Sequence, residues 1–228
     1  RRRTPSRHHA CGTDAALSAR PEGGLSRDRA AAALGLDSPT LDRLDAYVDL
    51  LVRWQQRINL IGPATVPQLW ERHILDCGQL RALVPAGTAS LVDMGAGAGL
   101  PGLVLAILGV RGVVLVEADK RKAAFLREAA RATGAAVEVR AERLEAMPKA
   151  PVDVVTARAL APVGRLLAWA DGLVGPGTTC LFPKGAGAER ELTDASRDWH
   201  MKVERHPSLV HAEGVVLELT DVRARDRA

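Results

Sequence analysis

The stretch Leu91–Gly102, LVDMGAGAGLPG, decides the fold of this chain. It follows a short apolar run and precedes a longer one, Leu103–Leu108, which is typical of a strand, a glycine-rich turn and a helix. In that arrangement backbone N–H groups are available to a nucleotide-like ligand. Glycines let the backbone approach the ligand closely, and Pro101 suits the first turn of the helix.

Strand-like and helical segments alternate from residue 88 onward, which predicts a doubly wound, mostly parallel sheet. Two further apolar runs between Met201 and Val222 predict a closing β-hairpin with one antiparallel strand, which makes seven strands. The predicted strands are Ala89–Met94, Gly112–Glu117, Ala136–Arg140, Val152–Thr156 and Thr178–Pro183. The predicted helices are Pro101–Leu108, Lys120–Thr133 and Pro162–Leu173, with a short turn near Glu142–Met147.

The residues before the sheet predict a helical cap. Residues 1–24 are basic, rich in Gly, Pro and Ser, and predict a disordered leader. A helix is predicted from Ser38, as N-cap, to about Ile58, and a second at about Pro67–Val84. We therefore expect a cap over residues 25–86 and a ligand-binding core over residues 87–228.

Composition limits the class of protein. With 228 residues, 47% of them hydrophobic, the chain can bury one full core. Its apolar runs are shorter than the ~20 residues that cross a bilayer, and no apolar signal segment follows the N-terminal arginines. Three widely spaced cysteines predict neither disulfides nor a zinc site. We expect a cytoplasmic protein without membrane or metal partners; its net charge of +4 permits a nucleic-acid partner.

The glycine loop has more than one candidate ligand. A dinucleotide fingerprint is present only in the frame Gly97, Gly99, Gly102, and a purely structural turn is a further alternative. The pattern Asp-x-Gly-x-Gly-x-Gly instead resembles motif I of class I S-adenosylmethionine (SAM) methyltransferases. Asp93 favours SAM, because a carboxylate could engage its cationic methionine end but would repel a pyrophosphate.

Glu117 is a candidate ligand of the cofactor ribose. It lies 22 positions after Gly95, at the carboxyl end of the second predicted strand, where open α/β folds bind ligands. The alternative is a surface acid that caps the helix beginning near Asp119.

Five further segments give the resemblance its specificity. Together with the glycine loop they resemble the RsmG (GidB) family over about residues 38–222. That family comprises bacterial methyltransferases that modify N7 of a guanosine in 16S rRNA. Two departures are Cys77-Gly78 in place of the family's Ser-Leu, and Pro183 where the family has Leu before Lys-Gly. The segments are Trp54–Leu60 (WQQRINL), Trp70–Asp76 (WERHILD), Arg140–Glu142 (RAE), Thr156–Ala159 (TARA) and Phe182–Gly185 (FPKG).

The resemblance implies a Rossmann-like class I methyltransferase fold, SAM as the cofactor, and 16S rRNA in the small ribosomal subunit or its precursor as the partner. We expect the protein to be a monomer. It implies cofactor contacts through Ala141 and Glu142 beside the adenine, and through Arg158 where cofactor and substrate meet. Without it, Glu142 would be a helix-start acid and Arg158 a surface cation. The predicted cofactor-binding residues are Gly95, Leu100, Ala141, Glu142 and Arg158, with Asp93, Gly97 and Glu117 in addition.

The chemistry asks little of the protein's side chains. N7 of guanine carries a free lone pair and no proton, so its methylation requires alignment and no general base. We therefore expect methyl transfer to proceed by positioning, without an obligatory catalytic residue. If a side chain does assist catalysis, Arg158 and Lys184 are the candidates. Arg140, Arg158 and Lys184 are candidate phosphate ligands near the sheet edge, and Asn59 is a further candidate RNA contact.

His73 lies on the apolar face of the second predicted helix. A histidine there is more often a core residue than a catalyst, and Asp76, three positions later, could bond to it or to Arg72. We expect Arg72, His73 and Asp76 to form a network that fixes the cap against the sheet.

Two other functions remain as alternatives to an rRNA methyltransferase. One is a small NAD(P)-dependent oxidoreductase. Such an enzyme would need a catalytic Tyr-x-x-x-Lys or a comparable pair, but the only tyrosine, Tyr47, lies in the predicted cap. The other is a non-enzymatic nucleotide- or RNA-binding module.

Overall fold

One seven-stranded mixed sheet forms the centre of the chain, in a computed structural model that describes residues 24–225. The strand order is β3-β2-β1-β4-β5-β7-β6, as expected for the Rossmann-like fold predicted from the sequence. The predicted leader, apart from Gly24, lies outside the described residues. The strands are β1 Leu91–Met94, β2 Val113–Val116, β3 Val137–Arg140, β4 Val154–Thr156, β5 Thr179–Lys184, β6 Trp199–Pro207 and β7 Val215–Ala224.

Strand direction places the ligand-binding edge. Strands β1 to β5 are parallel, and the order reverses between β1 and β4, the position at which open α/β sheets bind ligands. The predicted closing hairpin is present: β7 runs antiparallel to both β5 and β6.

Helices cover both faces of the sheet, because alternate strand residues enter two separate cores. Leu91 and Val154 belong to one core with the cap, whereas Val92 and Val155 belong to the other. The helices are α1 Gly24–Leu34, α2 Ser38–Gln55, α3 Asp76–Gly78, α4 Gly102–Ile107, α5 Lys120–Thr133, α6 Val163–Ala170 and α7 Ala188–Ala195.

The first cap helices differ from the prediction. The N-cap of α2 is Asp37 and not Ser38, because its side chain accepts the N–H of Thr40 (3.0 Å). The helix ends at Gln55, and it is preceded by α1, which the sequence pattern does not predict. Trp54 of α2 packs on Phe125 of α5 at 5.7 Å between ring centroids, so this tryptophan holds the cap on the core.

The second predicted cap helix is a series of short turns. Pro63–Gln68 is a 3₁₀ turn, Trp70–Leu75 is a π turn, and α3 is followed by a second 3₁₀ turn, Gln79–Ala82. Wide π turns often occur at functional sites, and this one presents Arg72 O and His73 Nδ1 to Arg158, while Asp76 at the start of α3 adds a third acceptor. The division into a cap (25–86) and a core (87–228) remains a prediction about domains.

None of the helices in residues 24–225 has the length and apolar character that a membrane-spanning helix needs. Cys77 and Cys180 are buried free thiols, and Cys11 lies outside the described part.

Candidate functional site

A cavity of about 590 Å³ opens at the carboxyl ends of β1, β2 and β4. Its floor is the glycine loop, in which Gly95, Gly97 and Gly99 have φ values of +63°, +54° and +85°. These left-handed conformations suit glycine and carry the backbone tightly from β1 into α4. A Cβ atom at Gly97 would come no closer than 3.8 Å to the nearest heavy atom outside its chain neighbours, so this glycine leaves open space above the loop.

Glu117 fixes the loop from the end of β2. Its Oε2 accepts the N–H of Gly97 and its Oε1 accepts the N–H of Asp119, both at 2.8 Å. Glu117 does not cap α5, which was the alternative role. Asp119 caps this helix by accepting the N–H groups of Arg121 and Lys122. The partly exposed Glu117 carboxylate therefore links the loop to the cavity wall.

Asp93 lies beneath the loop and does not reach the cavity. It is 0% exposed, and its two oxygens accept the N–H of Gly102 and the hydroxyl of Thr156, both at 2.9 Å. Asp93 therefore does not make the expected contact with a ligand. Its hydrogen bonds instead connect β1 to β4 and α4. Burial raises the pKa of Asp93 to about 7.

Arg158 is the centre of a buried polar network. Its Nε donates to Asp76 Oδ2 (2.8 Å), and its second terminal nitrogen donates to Arg72 O (2.9 Å) and His73 Nδ1 (3.0 Å). The side chains of Arg158 and Asp76 are 18% and 8% exposed. The expected Arg72–His73–Asp76 network therefore exists only through Arg158: Asp76 bonds to this arginine, and Arg72 contributes its carbonyl.

His73 extends this network to the loop before the π turn. Because a guanidinium only donates, Nδ1 of His73 accepts, and Nε2 carries the proton that it donates to Thr65 Oγ1 (2.8 Å). Thr65 in turn donates to Gly62 O (2.7 Å). Burial, with the charges of Arg158 and Arg72, lowers the pKa of His73 to about 3 and keeps it neutral. Residues 59–62 line the cavity, and His73 therefore connects them, through Thr65, to Arg158.

Most of the predicted cofactor-binding residues line the first cavity. Ala141, which is exposed, and Asp93, which is buried beneath the glycine loop, do not line it. Seven predicted residues line the cavity: Asn59, Gly95, Gly97, Leu100, Glu117, Glu142 and Arg158.

Two of the predicted RNA-contacting cations already have acidic partners. Arg140 pairs with Glu138 (2.7 Å), because residues two apart on an edge strand share a face. Lys184 is 11% exposed; it donates to Ala161 O (2.6 Å) and pairs with Glu191 Oε2 (2.8 Å). Neither side chain is presented as a free phosphate ligand.

A second cavity of about 530 Å³ adjoins the first. Arg158, Ala159 and Leu160 line both cavities and form the wall between them. Ala159 has a φ of +52°, which is strained for a residue with a side chain. Asp76, Lys184 and Glu191 also line this second cavity, which sequence reasoning did not reveal.

Three other site features had not been expected. The Tyr47 hydroxyl donates to Ala98 O in the glycine loop (2.6 Å), although Tyr47 itself is fully buried and outside both cavities. Leu160 and Trp169 give the first cavity apolar walls. The sequence offers no signal for these contacts, since each joins segments that are distant along the chain.

Within the described residues, one group of side chains could hold a metal ion. The ligand atoms of Glu204, His206 and Glu218 lie within 4.8 Å of one another on the β6–β7 hairpin, and they line neither cavity.

Comparison with known families gives a match over most of the chain. The family model GidB, rRNA small subunit methyltransferase G, matches residues 40–220. A protein named ribosomal RNA small subunit methyltransferase G from Paramagnetospirillum magneticum is 54% identical over 194 residues, covering 85% of this chain and 94% of that protein. A protein of the same name from Rhodospirillum centenum is 52% identical, covering 85% and 90%.

Solved structures support the fold. A ribosomal protein L11 methylase from Lactobacillus delbrueckii subsp. bulgaricus is similar with a TM-score of 0.55 and 14% identity, covering 65% of this chain and 78% of that chain. Magnesium protoporphyrin IX methyltransferase from Synechocystis PCC 6803, solved with bound SAM, gives 0.52 and 16%, covering 82% and 98%.

Proposed function

The chain belongs to the GidB family, rRNA small subunit methyltransferase G, and we propose that it transfers a methyl group from SAM to N7 of a guanosine in 16S rRNA. It is a SAM-dependent methyltransferase of small-subunit rRNA. The choice of N7 and of guanosine is the finer part of the proposal.

The first cavity has the features that this cofactor needs. Open space above Gly97 admits a ligand against the loop backbone, and Glu117 offers carboxylate oxygens suited to ribose hydroxyls. We assign the amino-acid part of the cofactor to the loop at Gly95 and Gly97, and the adenine to the wall with Leu100 and Glu142. When bound, SAM supplies an electrophilic methyl carbon on a sulfonium.

Arg158 holds the boundary between the two ligands in this proposal. Its charge is fixed by Asp76 and its orientation by three acceptors, so it can position groups on either side without moving a proton. Attack by N7 needs no base, because the lone pair lies in the ring plane. The reaction leaves a positively charged purine, which the partly exposed carboxylates of the two cavities tolerate.

Within the described residues, two other methylation chemistries lack the groups that they need. Transfer to carbon 5 of a pyrimidine would need a cysteine nucleophile, but Cys180 is fully buried and burial raises its pKa to about 12. Transfer to an exocyclic amine usually employs an Asn/Asp-Pro-Pro-aromatic run after β4, where this chain has Ala157-Arg158-Ala159.

The observation that carries the proposal is the pair of adjoining cavities at one sheet edge, separated by a wall that contains Arg158. One cavity can take the cofactor and the other a base extruded from the RNA.

Incubation with radiolabelled SAM and either 16S rRNA or small subunits tests the proposal. Strand cleavage specific for 7-methylguanosine, followed by primer extension, should locate one modified guanosine. RNA with 7-deazaguanosine at that position is the control and should take up no label. Label at an amine or a carbon atom would overturn the assignment to N7.

A further inference from the structure

The second cavity contains two ion pairs that neutralise its cations. Arg158 Nε lies 2.8 Å from Asp76 Oδ2, and Lys184 Nζ lies 2.8 Å from Glu191 Oε2. All four side chains line the cavity, and His211, also in its wall, is exposed. Because each cation already has a carboxylate partner, the cavity suits an uncharged polar ligand better than a phosphate.

The apolar part of the wall fits the same kind of ligand. Pro162, Pro183 and Val216 line the cavity beside the ion pairs. A flat heterocycle can pack on such surfaces while its edge reaches the polar groups. A volume of about 530 Å³ is large enough for one nucleobase with its sugar.

Glu191 has one oxygen available. Its Oε2 forms an ion pair with Lys184 Nζ (2.8 Å) and accepts the N–H of Val163 (3.0 Å), whereas its Oε1 accepts no hydrogen bond from any residue that the structure describes. The two bonds to Oε2 hold the carboxylate in place. An ionised carboxylate only accepts hydrogen bonds, so Glu191 is an oriented acceptor in the cavity wall.

We propose that the second cavity receives the target guanine and that Glu191 Oε1 recognises it by accepting a hydrogen bond from its N1–H or 2-amino group. The inference rests on the proposed function and adds the residue that selects the base. Adenine presents an acceptor at N1 and no amino group at C2, so the same carboxylate rejects it. The imidazole side of guanine, which carries N7, remains free to face the wall shared with the first cavity.

Lys184 contacts Glu191 from the end of β5. Its amine donates a hydrogen bond to Ala161 O and forms an ion pair with Glu191, so it connects the end of β5 to α7 and to the segment after β4. Lys184 is thus a positioning residue for Glu191 in this proposal.

Substrates with guanosine or inosine at the modified position test the inference. Inosine retains N1–H and N7 but lacks the 2-amino group. If that group donates to Glu191, the wild-type kcat/KM falls about tenfold on inosine. If N1–H is the donor, guanosine and inosine react alike and 1-deazaguanosine shows the fall.

Glu191→Gln should lose at least tenfold on guanosine and should no longer discriminate between the substrates. Glu189→Gln is the matched control, because Glu189 lies on the same helix but pairs with Arg205 outside both cavities. Titration with SAM should give wild-type affinity for both variants and checks their folding. If Glu191→Gln does not bind SAM, Glu191→Asp, which withdraws the oxygen but keeps the charge, takes its place.

A Glu191 variant that loses rate but keeps the wild-type ratio between substrates would show a structural role and overturn the inference. Equal wild-type rates on all three substrates would overturn it as well. Absence of N7 methylation by the wild-type protein is a different outcome, because it contradicts the proposed function itself.

Discussion

The two cavities are built from different materials. The floor of the first is backbone, namely the loop Gly95–Leu100, with one carboxylate, Glu117, bonded to it. The second is made of side chains that meet in two ion pairs, from α3, the residues after β4, β5 and α7. A cavity of backbone depends on conformations that only glycine tolerates, whereas a cavity of ion pairs depends on each charge keeping its partner.

The largest effect is expected from Gly97→Asp. A residue with a side chain costs about 1–2 kcal/mol at φ +54°, and the added anion repels Glu117, which bonds to the same residue. We expect the affinity for SAM to fall by about 10³-fold in isothermal titration.

Gly109→Asp is the control for Gly97→Asp. Gly109 also has a positive φ, +90°, with open space around its Cβ position, but it follows α4 away from both cavities. It should lose some stability and keep its SAM affinity. Normal binding by Gly97→Asp would mean that backbone does not form the cofactor site.

Arg158→Ala should disturb both cavities at once. Removal of the guanidinium leaves Asp76 buried without its charge partner, which costs about 3–5 kcal/mol of unfolding free energy. Methyl transfer should fall by about 10²-fold through misplacement of the reacting groups.

Single-turnover rates and urea denaturation measure the two effects of Arg158→Ala separately. Addition of Asp76→Asn should recover part of the stability but not the rate. Arg27→Ala, which breaks the Arg27–Asp45 pair away from both cavities, is the control for loss of an ion pair. Full activity of Arg158→Ala would remove the shared wall from the mechanism.

Asp93 gives the glycine loop a pH dependence. With its pKa raised to about 7 by burial, the folded protein retains a proton on Asp93 that the unfolded chain has released above about pH 4. Stability from this group is therefore present at low pH and lost as the pH rises through 7, by about 3 kcal/mol between pH 5 and 8.

Asp93→Asn should abolish that slope while it keeps hydrogen bonds to Gly102 and Thr156. Urea midpoints of both proteins, compared at each pH, isolate the effect, because His73 shifts stability in the opposite direction below pH 6.5 in both. Parallel pH profiles would show that Asp93 is ionised in the folded protein.

Tyr47→Phe should have the smallest effect. The change removes the hydrogen bond that joins the cap to the loop and leaves Ala98 O unsatisfied, which costs about 1 kcal/mol. Urea denaturation measures this loss, and Tyr47→Phe should retain its discrimination between bases. A change in that discrimination would show that a contact at the loop of the first cavity also affects base recognition in the second.

The sequence predicted the sheet because its information is local. Each central strand is a short apolar run buried on both faces, and α5 is bounded by its own signals, the N-cap Asp119 and the left-handed Gly134. By contrast, α1 (GLSRDRAAAAL) has no apolar face, so its periodicity gives no indication of a helix. The π turn of the broken cap helix lies where Arg158, 82 or more residues away along the chain, donates its hydrogen bonds, and no local sequence pattern reports that contact.

The same limit applies to the site. The loop residues and Glu117 could be found because their motif is contiguous or lies at a fixed distance along the chain. The pairs Arg158–Asp76 and Lys184–Glu191 are formed by the tertiary fold, so Lys184 appeared from the sequence to be a free cation. Asp93 was recognised as important, but its burial and its two hydrogen bonds could not be derived from its position after an apolar run.

In the proposed arrangement, cofactor and target base share the wall of Arg158, Ala159 and Leu160, so their binding equilibria are interdependent. Any shift of these residues that improves the fit of one ligand also changes the surface offered to the other. Thermodynamic linkage then requires that the factor by which the cofactor alters RNA affinity equals the factor by which RNA alters cofactor affinity. With the ligands placed as we propose, a wall only three residues wide couples their binding equally in both directions.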